Sequence, residues 1–362
     1  MVSSSLTILT RSWPGLTEIN TSRPSASSLI LSVTSLATLK LTSAEIKALL
    51  ISFTVEATLI SVIVPCPFSV LNAAEGFWQE RKRLWVAYGL KSEIGRDKGL
   101  VYGSDLRANL TQKYTARDEG KDETLIASNE EGTSVFDPVL CELMYRWFSP
   151  FGGQVVDPFA GGSVRGVVAH ILRRKYWGCD LAAKQIEANR QQAKDIFGDT
   201  GHLTWVNGDS MQMVDTAPMA DFIFSCPPYG DLEVYSDNPA DISNMEYQDF
   251  LINYWQIIGK ACARLKDNRF ACFVVANFRD KKGNYNNLVG DTVRAFQHAG
   301  LHFYNDANLV TPRGSLPVRA GRSFDVTRKL GKTHQNVLVF LKGDSRKAAE
   351  ACGDPFDKRV QV

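Results

Sequence analysis

Four residues, Cys226-Pro227-Pro228-Tyr229, close a strand-like run that begins "ADFIFS". Proline fixes φ and donates no backbone hydrogen bond, so two in succession make a stiff, extended exit from a strand. An aromatic ring directly after such an exit can hold a flat ligand against a rigid wall. Three earlier strand-like runs end on groups of matching use. "QVVDPFAGGS" supplies Asp157, Phe159, Ala160, Gly161, Gly162 and Ser163. Its glycines let backbone come close to a ligand, and the helix that follows offers free N–H groups. "YWGCD" ends on Asp180, a carboxylate suited to accept two ribose hydroxyls. "LTWVNGD" ends on Asp209, placed to accept a hydrogen bond from an adenine amino group. An aspartate after a strand also caps the next helix, and Asp180 and Asp209 taken singly carry both readings. The signal lies in their order, with four successive strands each presenting a polar group.

Those ends need a scaffold that brings them to one edge. Strand-like and helical runs alternate from about Val155 to Lys342, and seven of them read as strands. The pattern predicts a Rossmann-like α/β fold: a seven-stranded, mostly parallel, doubly wound sheet with an antiparallel edge strand. In such a sheet ligands bind at the carboxyl ends of the strands, beside the switch point.

The flanking regions differ in texture. Residues 1–66 hold 22 Ser or Thr and only seven charged residues, and read as an N-terminal extension that is disordered or non-catalytic. Their most apolar run, Ala48 to Cys66, carries Glu56 at its middle, which argues against a membrane span. Residues 67–132 form an aromatic and basic segment with a polar linker. There Phe77, Trp78, Arg81, Lys82, Arg83 and Trp85 could stack bases and meet phosphates. The plainer reading is an amphipathic helix with Phe77, Leu84 and Tyr88 inward. Residues 133–345 are the expected catalytic domain and 346–362 a tail.

Between the last two strands, Thr311 to Lys332 carries Arg313, Arg319, Arg322, Arg328, Lys329 and Lys332 against one acid, Asp325. It reads as a long, structureless loop that grips phosphates. The chain of 362 residues has a net charge of +2, so it is no polycation, and nucleic-acid contact must come from such local patches. Its seven cysteines show no CxxC pair or zinc spacing. Cys179, Cys226 and Cys272 lie in strand-like runs and read as reduced, buried thiols of a cytoplasmic protein.

"DPFAGG" followed by "CPPY" resembles the cofactor loop and catalytic motif of the S-adenosylmethionine (SAM)-dependent amino-group DNA methyltransferases, which act on adenine N6 or cytosine N4. "TSVFDPVLCELMYRWFSPFGGQVVDPFAGGSVRG" is similar to the phage- and prophage-borne methylases of that group. The resemblance runs from Phe68 to Lys342 and implies a SAM cofactor, a DNA substrate with RNA second, a bacterial or phage origin, and no metal. It places Asp157, Phe159, Ala160, Gly161 and Gly162 beneath the methionine moiety, Asp180 at the ribose and Asp209 near the cofactor adenine. Thr133 and Phe136 would close over the methionine end. Cys226, Pro227, Pro228 and Tyr229 would hold a flipped-out base. Arg313, Arg319, Arg322, Arg328, Lys329 and Lys332 would meet nucleic acid. With no separate recognition domain or nuclease motif in view, the resemblance implies a solitary modification enzyme with a short target. One departure stands out. The family carries Asp, Asn or Ser before Pro-Pro, and here that position is Cys226, a weak acceptor. Strand alternation turns the neighbouring Ser225 to the other side. The Pro227 carbonyl then carries more of the burden of holding the amine.

Overall fold

The computed structural model describes residues 67–91, 136–229, 238–280, 282–311 and 316–355, with side chains of the last stretch from 320 onward. Expectations for residues 1–66, Thr133 and Arg313, and for the Arg319 side chain, lie outside the described residues. Eight strands form one sheet in the order β1-β7-β8-β6-β5-β2-β3-β4. They are β1 (Val70–Asn72), β2 (Gln154–Asp157), β3 (Lys175–Asp180), β4 (Leu203–Asn207), β5 (Ala220–Ser225), β6 (Leu265–Val275), β7 (His302–Val310) and β8 (His334–Lys342). The Rossmann-like α/β class expected from the sequence is the class observed.

Two details of that expectation are corrected. The sheet has eight strands rather than seven, because Val70–Asn72 adds to β7 in parallel. The antiparallel strand is not at an edge. β8 runs antiparallel to both β6 and β7 and lies between them.

The apolar strand runs are explained by the two faces. Phe222 and Phe224 of β5 enter one core, whereas Ala220 and Ile223 enter the other. Val155 and Val156 of β2 divide in the same way. A strand covered on both sides needs no polar alternation. The first core is closed by α1 (Gly76–Ala87), α2 (Pro138–Phe148), α3 (Val164–Ile171), α4 (Ala183–Phe197) and α9 (Ser345–Cys352). The second is closed by α6 (Tyr247–Arg264) and α7 (Leu288–His298). The short α5 (Ser210–Met213) follows β4, and α8 (Leu316–Thr327) lies between β7 and β8.

α1 is the amphipathic helix of the plainer reading, but with a different inward face. Trp78 and Trp85, seven residues apart, are the buried face, and Phe77 is exposed. Trp78 Nε1 donates to Asp137 and Trp85 Nε1 to Glu142. Arg81 pairs with the buried Glu142 at 2.6 Å. Both indoles are therefore occupied in docking α1 on α2, not free to stack bases.

The chain moves outward from β2 through β3 to β4, then crosses back to lay β5 against the other side of β2. The switch point is therefore between β2 and β5. At the opposite ends of these strands, Asp221 accepts from Gln154 N, Lys266 Nζ and Arg269 Nε. Burial favours its neutral form, but these donors outweigh it and hold its carboxyl below the usual range. A depressed carboxylate contributes stability that is present above the unfolded pKa of about 4 and lost as pH falls through the folded value. Asp221→Asn should therefore melt below the wild type at pH 7, with the difference closing below about pH 4. Thermal melts across pH check this, and a difference that persists in acid would refute it.

Candidate active site

The crevice between β2 and β5 is built from the loop that leaves each strand. Asp157, at the end of β2, is completely buried. Its carboxylate accepts from Arg165 Nε at 2.6 Å, Tyr176 Oη at 2.7 Å and Ser225 Oγ at 2.6 Å. One side chain thus ties together β2, β3, β5 and α3. Burial works against the Arg165 charge, but Asp157, with Tyr176 and Cys226, outweighs it and pushes the guanidinium further above its ordinary value. Arg165 Nη2 also donates to the carbonyls of Phe159 and Ala160, at 2.6 and 2.8 Å. Asn189 Nδ2 takes the Gly161 carbonyl at 2.7 Å. Three successive carbonyls of the loop are thereby turned into the protein. Gly161 has φ +50°, which favours glycine there.

Asp180, half-buried at the end of β3, accepts from Gly161 N at 2.8 Å and Ala182 N at 2.9 Å. Burial raises its pKa, and the two backbone donors offset only part of the rise. A carboxylate offers about four lone-pair sites, so two remain for hydroxyl donors. Asp209 caps α5 through Met211 N at 2.9 Å. The capping reading of Asp209 is realised, and its second oxygen accepts no hydrogen bond from a described residue.

β5 delivers the turn. Ser225 is buried, donates to Asp157 and accepts from Phe159 N at 3.2 Å. Its hydroxyl therefore faces the loop after β2, as strand alternation predicts. Cys226 turns away from it, half-buried, with Sγ 3.7 Å from the Tyr229 hydroxyl. Gln335 Nε2, from β8, donates to that hydroxyl at 2.8 Å. Phe136 packs edge-on against Phe224 and lies under the Arg165 guanidinium at 4.5 Å. It stands close to the loop network.

The basic segment is corrected. Residues Leu316–Thr327 form α8 rather than a structureless loop. Arg322 and Arg328 are exposed, and Arg328 lies over the ring of Phe324 at 5.1 Å. Lys329 fills the place a Cβ on Gly283 would take, which joins this segment to the turn after β6. There Arg279 sits over Tyr285 at 3.9 Å. Lys332 is half-buried, and burial lowers its pKa.

Sequence reasoning missed Arg165, Tyr176 and Gln335. Arg165 had a detectable signal, a lone cation in the otherwise apolar helix that follows the glycines. Gln335 had none, since its partner is 106 residues away.

The chain matches no protein-family model and no curated protein. Among solved structures it is similar to TrmN from Thermus thermophilus, at 16% identity and TM-score 0.39, over 57% of this chain and 49% of that one. It thus spans about half the length of TrmN. It is also similar to a precorrin-6y C5,15-methyltransferase from Geobacter metallireducens, at 13% identity and TM-score 0.37, over 61% of this chain and 93% of that one. A third is the magnesium protoporphyrin IX methyltransferase ChlM from Synechocystis with bound SAM, at 12% identity and TM-score 0.37, over 57% and 77% of the two chains. Likeness of this degree says nothing of what the present chain acts on.

Proposed function

We propose that this chain is a SAM-dependent methyltransferase that modifies an exocyclic amino group of a nucleic-acid base, adenine N6 or cytosine N4 in DNA. The observation that carries the reading is the junction of the two loops. Phe159 N, in the glycine loop, donates to Ser225, the residue before Cys226-Pro227-Pro228-Tyr229. Cofactor loop and catalytic turn therefore flank one crevice at the switch point, where such sheets bind ligands.

The residues present fit the cofactor. The loop carbonyls are turned away, Gly161 leaves room for close approach, and Asp180 keeps acceptor sites for two ribose hydroxyls. When bound, SAM supplies a methyl group already activated by its sulfonium, so the chain need only position the acceptor. An exocyclic amine is a poor nucleophile because its lone pair is delocalised into the ring. Hydrogen-bond acceptors on its hydrogens favour rehybridisation, and the rigid Pro-Pro turn can aim the Pro227 carbonyl at them. Tyr229 can stack on the base. The nucleic acid would meet Arg322, Arg328, Lys329 and the exposed rings of Phe324 and Tyr285, a mixture suited to phosphates and bases. The reading keeps the solitary modification enzyme of the phage type.

Purified protein incubated with methyl-labelled SAM and either duplex DNA or total RNA tests this. Labelled N6-methyladenine or N4-methylcytosine from DNA is the expected product. Label in RNA alone would transfer the reading to an RNA base, and no label in either would overturn it. Asp180→Ala is expected to weaken SAM binding about 10- to 100-fold by calorimetry, the loss of a hydrogen bond to a charged acceptor. Unchanged affinity would remove Asp180 from the cofactor site.

A further inference from the structure

The orientation of β8 has a chemical consequence. Because it runs against the other strands, its first residues arrive where the parallel strands end. His334 pairs with Val310 and Gln335 with Leu309, at the carboxyl end of β7, and Asn336 pairs with Val275 at the end of β6. A side chain at the start of β8 can therefore enter the crevice from the side opposite to the glycine loop. Gln335 does so, and its amide nitrogen reaches the Tyr229 hydroxyl at 2.8 Å. That hydroxyl lies 3.7 Å from Cys226 Sγ. A thiol, a phenol and an amide thus form one row beside the Pro-Pro turn.

The three groups are unequal as acceptors. Sulfur is weak, whereas an amide oxygen carries two good lone pairs. The hydroxyl of Ser225, the residue before Cys226, is committed to Asp157 at 2.6 Å. Gln335 spends a donor on Tyr229, which fixes the plane of its amide. Its Oε1 accepts no hydrogen bond among the described residues. The row therefore contains one strong side-chain acceptor, and it comes from β8 rather than from the position before Pro-Pro.

We propose that Gln335 Oε1 receives a hydrogen of the target amine, the task to which Cys226 is chemically unsuited. The proposal rests on the function proposed above. During transfer the nitrogen lone pair forms the new N–C bond as the C–S bond breaks, and the bonding pair returns to sulfur. Gln335 stays neutral throughout, since an amide is no base, and the proton leaves the methylated nitrogen to solvent water afterwards. Gln335 strengthens the nucleophile by drawing on its N–H as the lone pair localises.

The test is a pair of substitutions, read by single-turnover transfer, SAM affinity and thermal melting. Gln335→Leu should lower the transfer rate at least about 100-fold, as removal of one preorganised hydrogen-bonding group does elsewhere. SAM affinity and melting temperature should not change. Loss of Tyr229 positioning alone would also slow transfer, so the second variant decides. Adding Cys226→Asn to Gln335→Leu supplies an amide oxygen before Pro-Pro and should recover at least about tenfold of the rate. A Gln335→Leu rate within about threefold of the wild type overturns the proposal, as does a double variant no faster than Gln335→Leu. Wild-type protein that labels neither DNA nor RNA overturns the proposed function and this inference together.

Discussion

Replacing Arg165 with leucine should destabilise the protein by about 3–5 kcal/mol, the usual consequence of removing one partner of a buried ion pair. Asp157 is completely buried, and Arg165 is the cation that neutralises it. Without the guanidinium the carboxylate keeps only the neutral donors Tyr176 Oη, Ser225 Oγ and Phe159 N, and the carbonyls of Phe159 and Ala160 lose theirs. The pair itself need not be worth that much, because two apolar residues can replace a buried pair at little net cost. The penalty belongs to the charge left behind. Adding Asp157→Asn removes that charge and should return part of the loss. Urea denaturation of the two variants and the wild type measures both effects. A loss below about 1 kcal/mol for Arg165→Leu, or a double variant weaker than the single one, would mean that the network does not hold the loop as described.

This network also shows where sequence reading stops. Each strand that leads to Asp157, Asp180 or Asp209 could be read from its own apolar run, because local pattern and tertiary burial agree there. The donors to Asp157 could not. Arg165, Tyr176 and Ser225 come from three different elements, and only pairing of β2 with β3 and β5 brings them together. β1 escaped for a similar reason. Three residues carry no periodicity, and they form a strand only because β7 offers an edge. The basic segment was misread locally. Pro317 and Gly321 signal a loop, but proline is tolerated in the first helical turn, and one internal glycine costs only about 1 kcal/mol. In α1 the spacing of Trp78 and Trp85 fits one helical face, yet their interleaving with Arg81 and Lys82 suggested a surface. The acids that satisfy that face, Asp137 and Glu142, lie some sixty residues on.

Tyr229→Ala should lower methyl transfer at least about 100-fold while leaving SAM affinity unchanged. Stacking of one base on an aromatic ring is worth about 1–3 kcal/mol. Loss of the ring also frees the base to shift, and small misplacements in an aligned transfer cost about 100-fold themselves. The cofactor side should be spared because the Tyr229 hydroxyl meets Cys226 and Gln335, whereas Asp180 is held by Gly161 N and Ala182 N. Tyr229→Phe separates the two functions of the residue. It keeps the stacking face and loses the hydroxyl that orients Gln335, so its defect should be intermediate, about tenfold. Asp180→Ala gives the opposite pattern, with weak SAM binding as its primary defect. Single-turnover rates at saturating SAM, set beside calorimetric affinities, distinguish the patterns. Near-normal transfer by Tyr229→Ala would remove the Pro-Pro-Tyr turn from the chemistry. Loss of SAM binding in that variant would instead place the ring against the cofactor, and the base would have to be held by another wall of the crevice.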